Sequence, residues 1–134
     1  MSFRDAFAKV RIYPKINPGE VWKAKDSSIR LLGSLTRHWH EERYCLILSN
    51  STMCNDPEWP LVLIAPLSHQ LQPKALPDLY VQKTDKNGLR LKSRLILSQI
   101  QPLGKADLQE HVGDIDIAEW EEIVRYVFWH IDRD

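Results

Sequence analysis

Residues 36–49 read TRHWHEERYCLILS, and His38, His40, Glu41, Glu42 and Arg43 in this run are of the types that ligate metals, move protons or hold phosphates. Histidine titrates near neutral pH, so His38 and His40 are candidates for proton transfer. Trp39 between them offers a face on which a nucleobase can stack. Arg43 carries a planar fork of donors suited to a phosphate, and it stands where a polar loop enters an apolar strand. A metal reading fails on spacing. The run His40-Glu41-Glu42-Arg43-Tyr44 lacks the second histidine of a His-Glu-x-x-His site. His38-x-His40 supplies two corners of a site with no obvious third, so no metal or other cofactor is expected.

These residues need a scaffold. Residues 18–25, PGEVWKAK, alternate in strand fashion after a Pro-Gly start. Residues 26–42 lack periodicity and read as a long loop, a common place for function. RYCLILS (43–49) is nearly continuous in apolar residues and so a central strand. LVLIAPLS (61–68) is a third strand, expected to end at Pro66. PDLYVQKT (77–84) leads into Asp85-Lys86-Asn87-Gly88, a hairpin signal because Asn-Gly accepts positive φ. Residues 89–103 supply further strand material broken around Ser93.

Short strands separated by turn signals imply a small barrel or sandwich. The finish differs: Ile117, Trp120, Ile123, Val124, Val127, Phe128 and Ile131 recur at three-and-four spacing, the apolar face of one helix. Asp116 with Glu119 suits its N-cap. The chain reads as a single domain over 1–134, with an N-terminal arm (1–16), a barrel (17–103) and a C-terminal helix (116–131).

The 134 residues have a net charge of zero, 43% hydrophobic and 27% charged residues, an ordinary globular balance. No apolar run approaches the ~18 residues of a membrane span. The N-terminus has no secretory h-region, so a cytoplasmic protein is expected and the Asn50-Ser51-Thr52 sequon is incidental. Cys45 and Cys54 are too few for a disulfide framework. Charge is unevenly spread: residues 1–105 hold 16 Lys/Arg against 9 Asp/Glu, and residues 106–134 hold 2 against 9. A basic body of this kind attracts polyanions.

GEVW (19–22), RYCLILS (43–49), APLS (65–68) and NGLRLKSRLILSQI (87–100), in that order, resemble the MazF/PemK toxins, and the likeness spans roughly residues 17–131. The resemblance implies an SH3-like small β-barrel with a C-terminal α-helix, the MazF/CcdB-like fold. It further implies a homodimer that cuts single-stranded RNA without a metal. A cognate antitoxin whose acidic segment occupies the RNA groove is the expected partner.

By the same resemblance Arg43 and Ser68 match the catalytic Arg and Ser/Thr, Glu20 an acidic position lining the groove, and Gln99 the late-strand Gln. His69 joins His38, His40 and Trp39 as a candidate for RNA contact or proton transfer. The sequence departs from the pattern where the family carries an Arg and an Asp in its late strand; here stand Ile96 and Ser98. On this basis Arg43→Ala should abolish activity and leave the fold largely intact. Two other readings stay open: a CcdB-like gyrase poison acting through the YVFWHIDRD end, and a non-catalytic RNA- or protein-binding member.

Overall fold

The computed structural model describes residues 13–32 and 42–133. Seven strands form one sheet: β1 (Glu20–Lys25), β2 (Glu42–Ile47), β3 (Leu61–Ser68), β4 (Leu79–Val81), β5 (Ser93–Leu95), β6 (Gln101–Gly104) and β7 (Leu108–Asp114). A short helix α1 (Ser51–Asn55) joins β2 to β3, and α2 (Ile117–Ile131) closes the described chain. The fold is mainly β with a C-terminal helix, as expected. Strand order runs β4-β5-β3-β2-β1-β7 with β6 on the far part of β3, so the described ladders make an open, bent sheet and not a closed ring.

Each strand follows from its residues. Pro18-Gly19 turns the chain, with Gly19 at φ +82°, and the Gly19 N–H donates to the Ile47 carbonyl at 2.9 Å. Alternation in β1 buries Val21 on one face and Trp22 and Ala24 on the other, so two apolar clusters flank the sheet. β2 lies between β1 and β3, with Cys45, Leu46 and Ile47 fully buried. β3 does not stop at Pro66. The missing N–H there is harmless, because the Pro66 carbonyl accepts from the Ile96 N–H at 2.9 Å and the strand runs on to Ser68.

Two further expectations are corrected. The sheet continues past the 17–103 stretch: β7 pairs with β1 over Glu20↔Asp114 to Ala24↔Leu108. The Asn87-Gly88 turn forms, but β4 and β5 pair only as Leu79↔Leu95 to Val81↔Ser93, leaving residues 82–92 as a long connection. That connection docks on β7: the Asp114 N–H donates to the Lys86 carbonyl at 2.8 Å, and a Cβ on Gly88 would lie 2.1 Å from the Val112 carbonyl oxygen.

The apolar stripe of α2 is only partly covered. Ile123 is buried and Trp120 and Val127 pack on the core, while Ile117, Phe128, Trp129 and Ile131 are more than half exposed. The helix starts as expected, with Asp116 Oδ1 accepting from the Glu119 N–H at 3.0 Å. No helix among the described residues is long and apolar enough to cross a membrane.

Candidate functional site

A cleft of about 870 Å³ opens where β2 and β3 part. Their ladder ends at Cys45↔Pro66, although both strands continue to Glu42 and Ser68. Extending that register by two residues sets Arg43 opposite Ser68, and on the other flank Ser68 pairs with Arg94 of β5. By this register Arg43, Ser68 and Arg94 fall on one face of the sheet, with Ser68 and Arg94 directly paired. All three line the cleft, with Lys23, Arg90, Tyr44, His69, Gln99 and Ile96. Among the described residues of this lining, four cations (Lys23, Arg43, Arg90 and Arg94) stand against one carboxylate, Glu42.

Arg43 is held from behind. Its Nε donates to Asp26 Oδ1 at 2.7 Å, and the two side chains are 10% and 0% exposed. Asp26 begins the 3-10 turn Asp26–Ser28 that follows β1. Ser68 is buried, and its Oγ accepts from the Gln70 N–H at 3.1 Å. Next along the chain, His69 is exposed and meets the Tyr44 ring edge-on, centroids 6.1 Å apart.

Gln99 lines the cleft, but its amide is turned on the chain itself. Its Oε1 accepts from the Leu32 N–H at 2.7 Å and its Nε2 donates to the Leu32 carbonyl at 2.8 Å. Gln101 repeats the pattern on Arg30 at 2.8 and 2.9 Å. Two side-chain amides thus anchor residues 30–32, the last described before Glu42, in the manner of a short strand. Sequence reasoning took Gln99 for an RNA contact and did not single out Gln101.

The late-strand departures acquire a meaning. Ile96 is buried in the core. The Ser98 hydroxyl and N–H both donate to Oδ1 of the fully buried Asp78, at 2.9 and 3.0 Å. Asp78 Oδ2 in turn faces Arg94 Nη1 at 3.4 Å. Arg94 also donates to the carbonyls of Gln70 (3.0 Å) and Pro73. Arg94 and Asp78 were not among the residues singled out from sequence; only the strand register brings Arg94 to the cleft, with Asp78 buried against it.

Glu20 is not in the cleft lining. It is buried at the start of β1, where Oε1 accepts from the Asn17 N–H at 2.7 Å and the Trp22 Nε1 at 3.0 Å. It orders the entry to the strand, because a buried carboxylate is stable only with such donors. His38, Trp39 and His40 lie outside the described residues, in the stretch between Leu32 and Glu42.

Among the described residues one group, Glu20, His111 and Asp114, sets metal-ligating atoms within 4.8 Å of one another. None of the three lines the cleft. Their atoms already have protein partners: His111 Nε2 lies 2.9 Å from the Gly113 carbonyl and 3.2 Å from Asp114 Oδ1. The cysteines are also unsuited to chemistry. Burial pushes the Cys45 thiol up to about 12, so it holds its proton at neutral pH, and burial raises Cys54 as well.

Comparison with known proteins follows the same lines. The model of the PemK-like, MazF-like toxin of type II toxin–antitoxin systems matches residues 10–128. No curated protein matches the chain. Among solved structures, an endoribonuclease from a mycobacterial species superposes with a TM-score of 0.62 at 16% identity, covering 88% of this chain and 92% of that one. The Mycobacterium tuberculosis toxin MazF-mt6 gives 0.64 at 17%, covering 86% and 98%. A MazE–MazF structure from Deinococcus radiodurans gives 0.63 at 11%, covering 92% and 99%. At these identities the likeness establishes the fold.

Proposed function

Since the chain belongs to the PemK-like, MazF-like toxin family of type II toxin–antitoxin systems, we propose that it is a metal-independent endoribonuclease that cuts single-stranded RNA in the cytoplasm. The family match favours this reading over the gyrase-poisoning alternative. One observation carries it: Arg43, Ser68 and Arg94 line one cleft in which, among the described residues, cations outnumber carboxylates.

Cleavage by the RNA's own 2′-hydroxyl forms a bond from the 2′-oxygen to phosphorus and breaks the bond to the 5′-oxygen, leaving a cyclic phosphate. A base takes the 2′ proton, an acid returns one to the 5′-oxygen, and donors must meet the charge that grows on the phosphorane. Arg43 is the direct donor, and the Ser68 hydroxyl is placed beside it for a phosphate oxygen. Arg94, already bonded to backbone carbonyls, contributes its positive field. A histidine acts as acid or base: His69 at the cleft, or His38 or His40 from the adjoining stretch, where Trp39 supplies a stacking face. Gln99 serves RNA indirectly by holding residues 30–32.

The partners follow from charge and exposed apolar surface. A basic cleft suits an acidic antitoxin segment as well as RNA, and the half-covered α2 stripe suits a homodimer. Incubating the purified protein with a long unstructured RNA in EDTA tests the activity. Fragments ending in cyclic phosphate, suppressed steeply by added salt, are the expected result. RNA that is bound but stays intact over long incubation would point to the non-catalytic alternative and sink the nuclease reading.

A further inference from the structure

Asp26 follows the end of β1 and Arg43 stands near the start of β2, and the structure joins these two residues directly. Asp26 is fully buried, does not line the cleft, and takes the Arg43 Nε at 2.7 Å across 17 residues of sequence. Nε is the stem of the guanidinium fork. A bond there fixes rotation of the plane and leaves the two Nη groups projecting beyond it. We propose that Asp26 is the positioning residue for Arg43, aiming its Nη edge at the scissile phosphate and closing the base of the loop.

The proposal rests on the reading of Arg43 as the phosphate donor. Its physical content is that an arginine with several free rotatable bonds would have to be ordered at each encounter with RNA, whereas here the carboxylate has ordered it in advance. Asp26 also carries a negative charge close to the cation that meets the phosphate. Geometry and charge therefore act in opposite directions: the carboxylate improves the aim of Arg43 and weakens its pull on the substrate. A merely structural aspartate would not separate the two.

Single-turnover cleavage of a fixed unstructured RNA, with the folded fraction set by circular dichroism, distinguishes the possibilities. Asp26→Ala is expected to lower the maximal rate by about a hundredfold, with half-saturating enzyme concentration unchanged or lower. Asp26→Asn keeps an oxygen acceptor for Nε and should restore most of that rate while binding RNA at least as tightly as the parent. In an Arg43→Lys background, adding Asp26→Ala should change the rate by no more than about twofold, because the aimed fork is already gone. An Asp26→Asn protein that folds and loses as much rate as Arg43→Lys overturns the positioning role, as does an additive loss of about a hundredfold in the Asp26→Ala double variant. If Asp26→Ala fails to fold, Asp26→Asn decides alone. An Arg43→Lys enzyme that cuts at the parent rate would instead remove the premise, whatever Asp26 does.

Discussion

Substitutions at Arg43 should separate catalysis from stability in a way the sequence alone does not anticipate. Arg43→Ala deletes a donor to the phosphorane, a loss of ~3–4 kcal/mol in transition-state stabilisation and roughly a hundred- to a thousandfold in rate. It also removes the Nε donor from Asp26, whose side chain is 0% exposed. Removing one member of a buried ion pair costs ~3–5 kcal/mol, and the slight exposure of Arg43 (10%) places this case at the lower end. At roughly 4 °C per kcal/mol for a chain of this size, Tm should fall by about 10 °C. The expectation that Arg43→Ala leaves the fold intact is therefore revised by the Asp26 contact.

Arg43→Lys behaves differently. Its ammonium still neutralises Asp26, so Tm should stay within a few degrees of the parent. It cannot hold Asp26 and present a planar pair of donors at the same time, so cleavage should still fall by roughly a hundredfold. The assay is calorimetry on both variants alongside cleavage of RNA in EDTA. A lysine variant that cuts RNA within about threefold of the parent would refute the need for the fork. An alanine variant with unaltered Tm would refute the energetic weight given to the buried pair.

Other expectations follow from particular contacts. Gly88→Ala should lower Tm by roughly 10 °C or more in calorimetry, since its φ of +69° disfavours a side chain and the new Cβ would meet the Val112 carbonyl at 2.1 Å. Stability should fall as pH rises from 9.0 towards about 12, because the Cys45 thiol keeps its proton in the folded state and releases it at 9.0 when unfolded. Denaturant titrations should show this slope flattened in Cys45→Ala, while Lys105, lowered by burial, contributes the opposite slope below 10.5 in both proteins. Glu119→Gln should stabilise at neutral pH and lose that gain near and below 4.5, because burial and Asp116 raise the carboxyl; urea midpoints at several pH values would show it.

The elements legible in the sequence are those whose own residues carry the signal. β1, β2 and β3 bury apolar side chains, and the Asp116 cap announces α2. β7 was illegible for a physical reason: Gln109, Glu110 and His111 are exposed, and its only strong determinant is pairing with β1. The stripe of α2 was legible as an apolar face, but a helical stripe does not say what covers it. Residues acting through the backbone escape composition too. The Gln99 and Gln101 amides bind main chain some 70 positions away, a separation no local pattern encodes.

The same limit governs the site, and there it changes the chemistry. Ile96 and Ser98 replace two charged residues expected from the family resemblance, which by sequence alone reads as a weakened site. In the folded chain a charged pair is nevertheless at hand: Arg94 lines the cleft, and Asp78, from before β4, accepts both donors of Ser98. The replacement is not equivalent. Arg94 spends its fork on Asp78 and on the carbonyls of Gln70 and Pro73, so it fixes the wall of the cleft and lends it charge. Among the described residues Arg43 bonds only Asp26, through Nε, which under the proposed function leaves its outer edge for a phosphate. Both arginines line the cleft with Ser68, and on that reading their partners divide the work: one holds the site together and the other is left to meet the substrate.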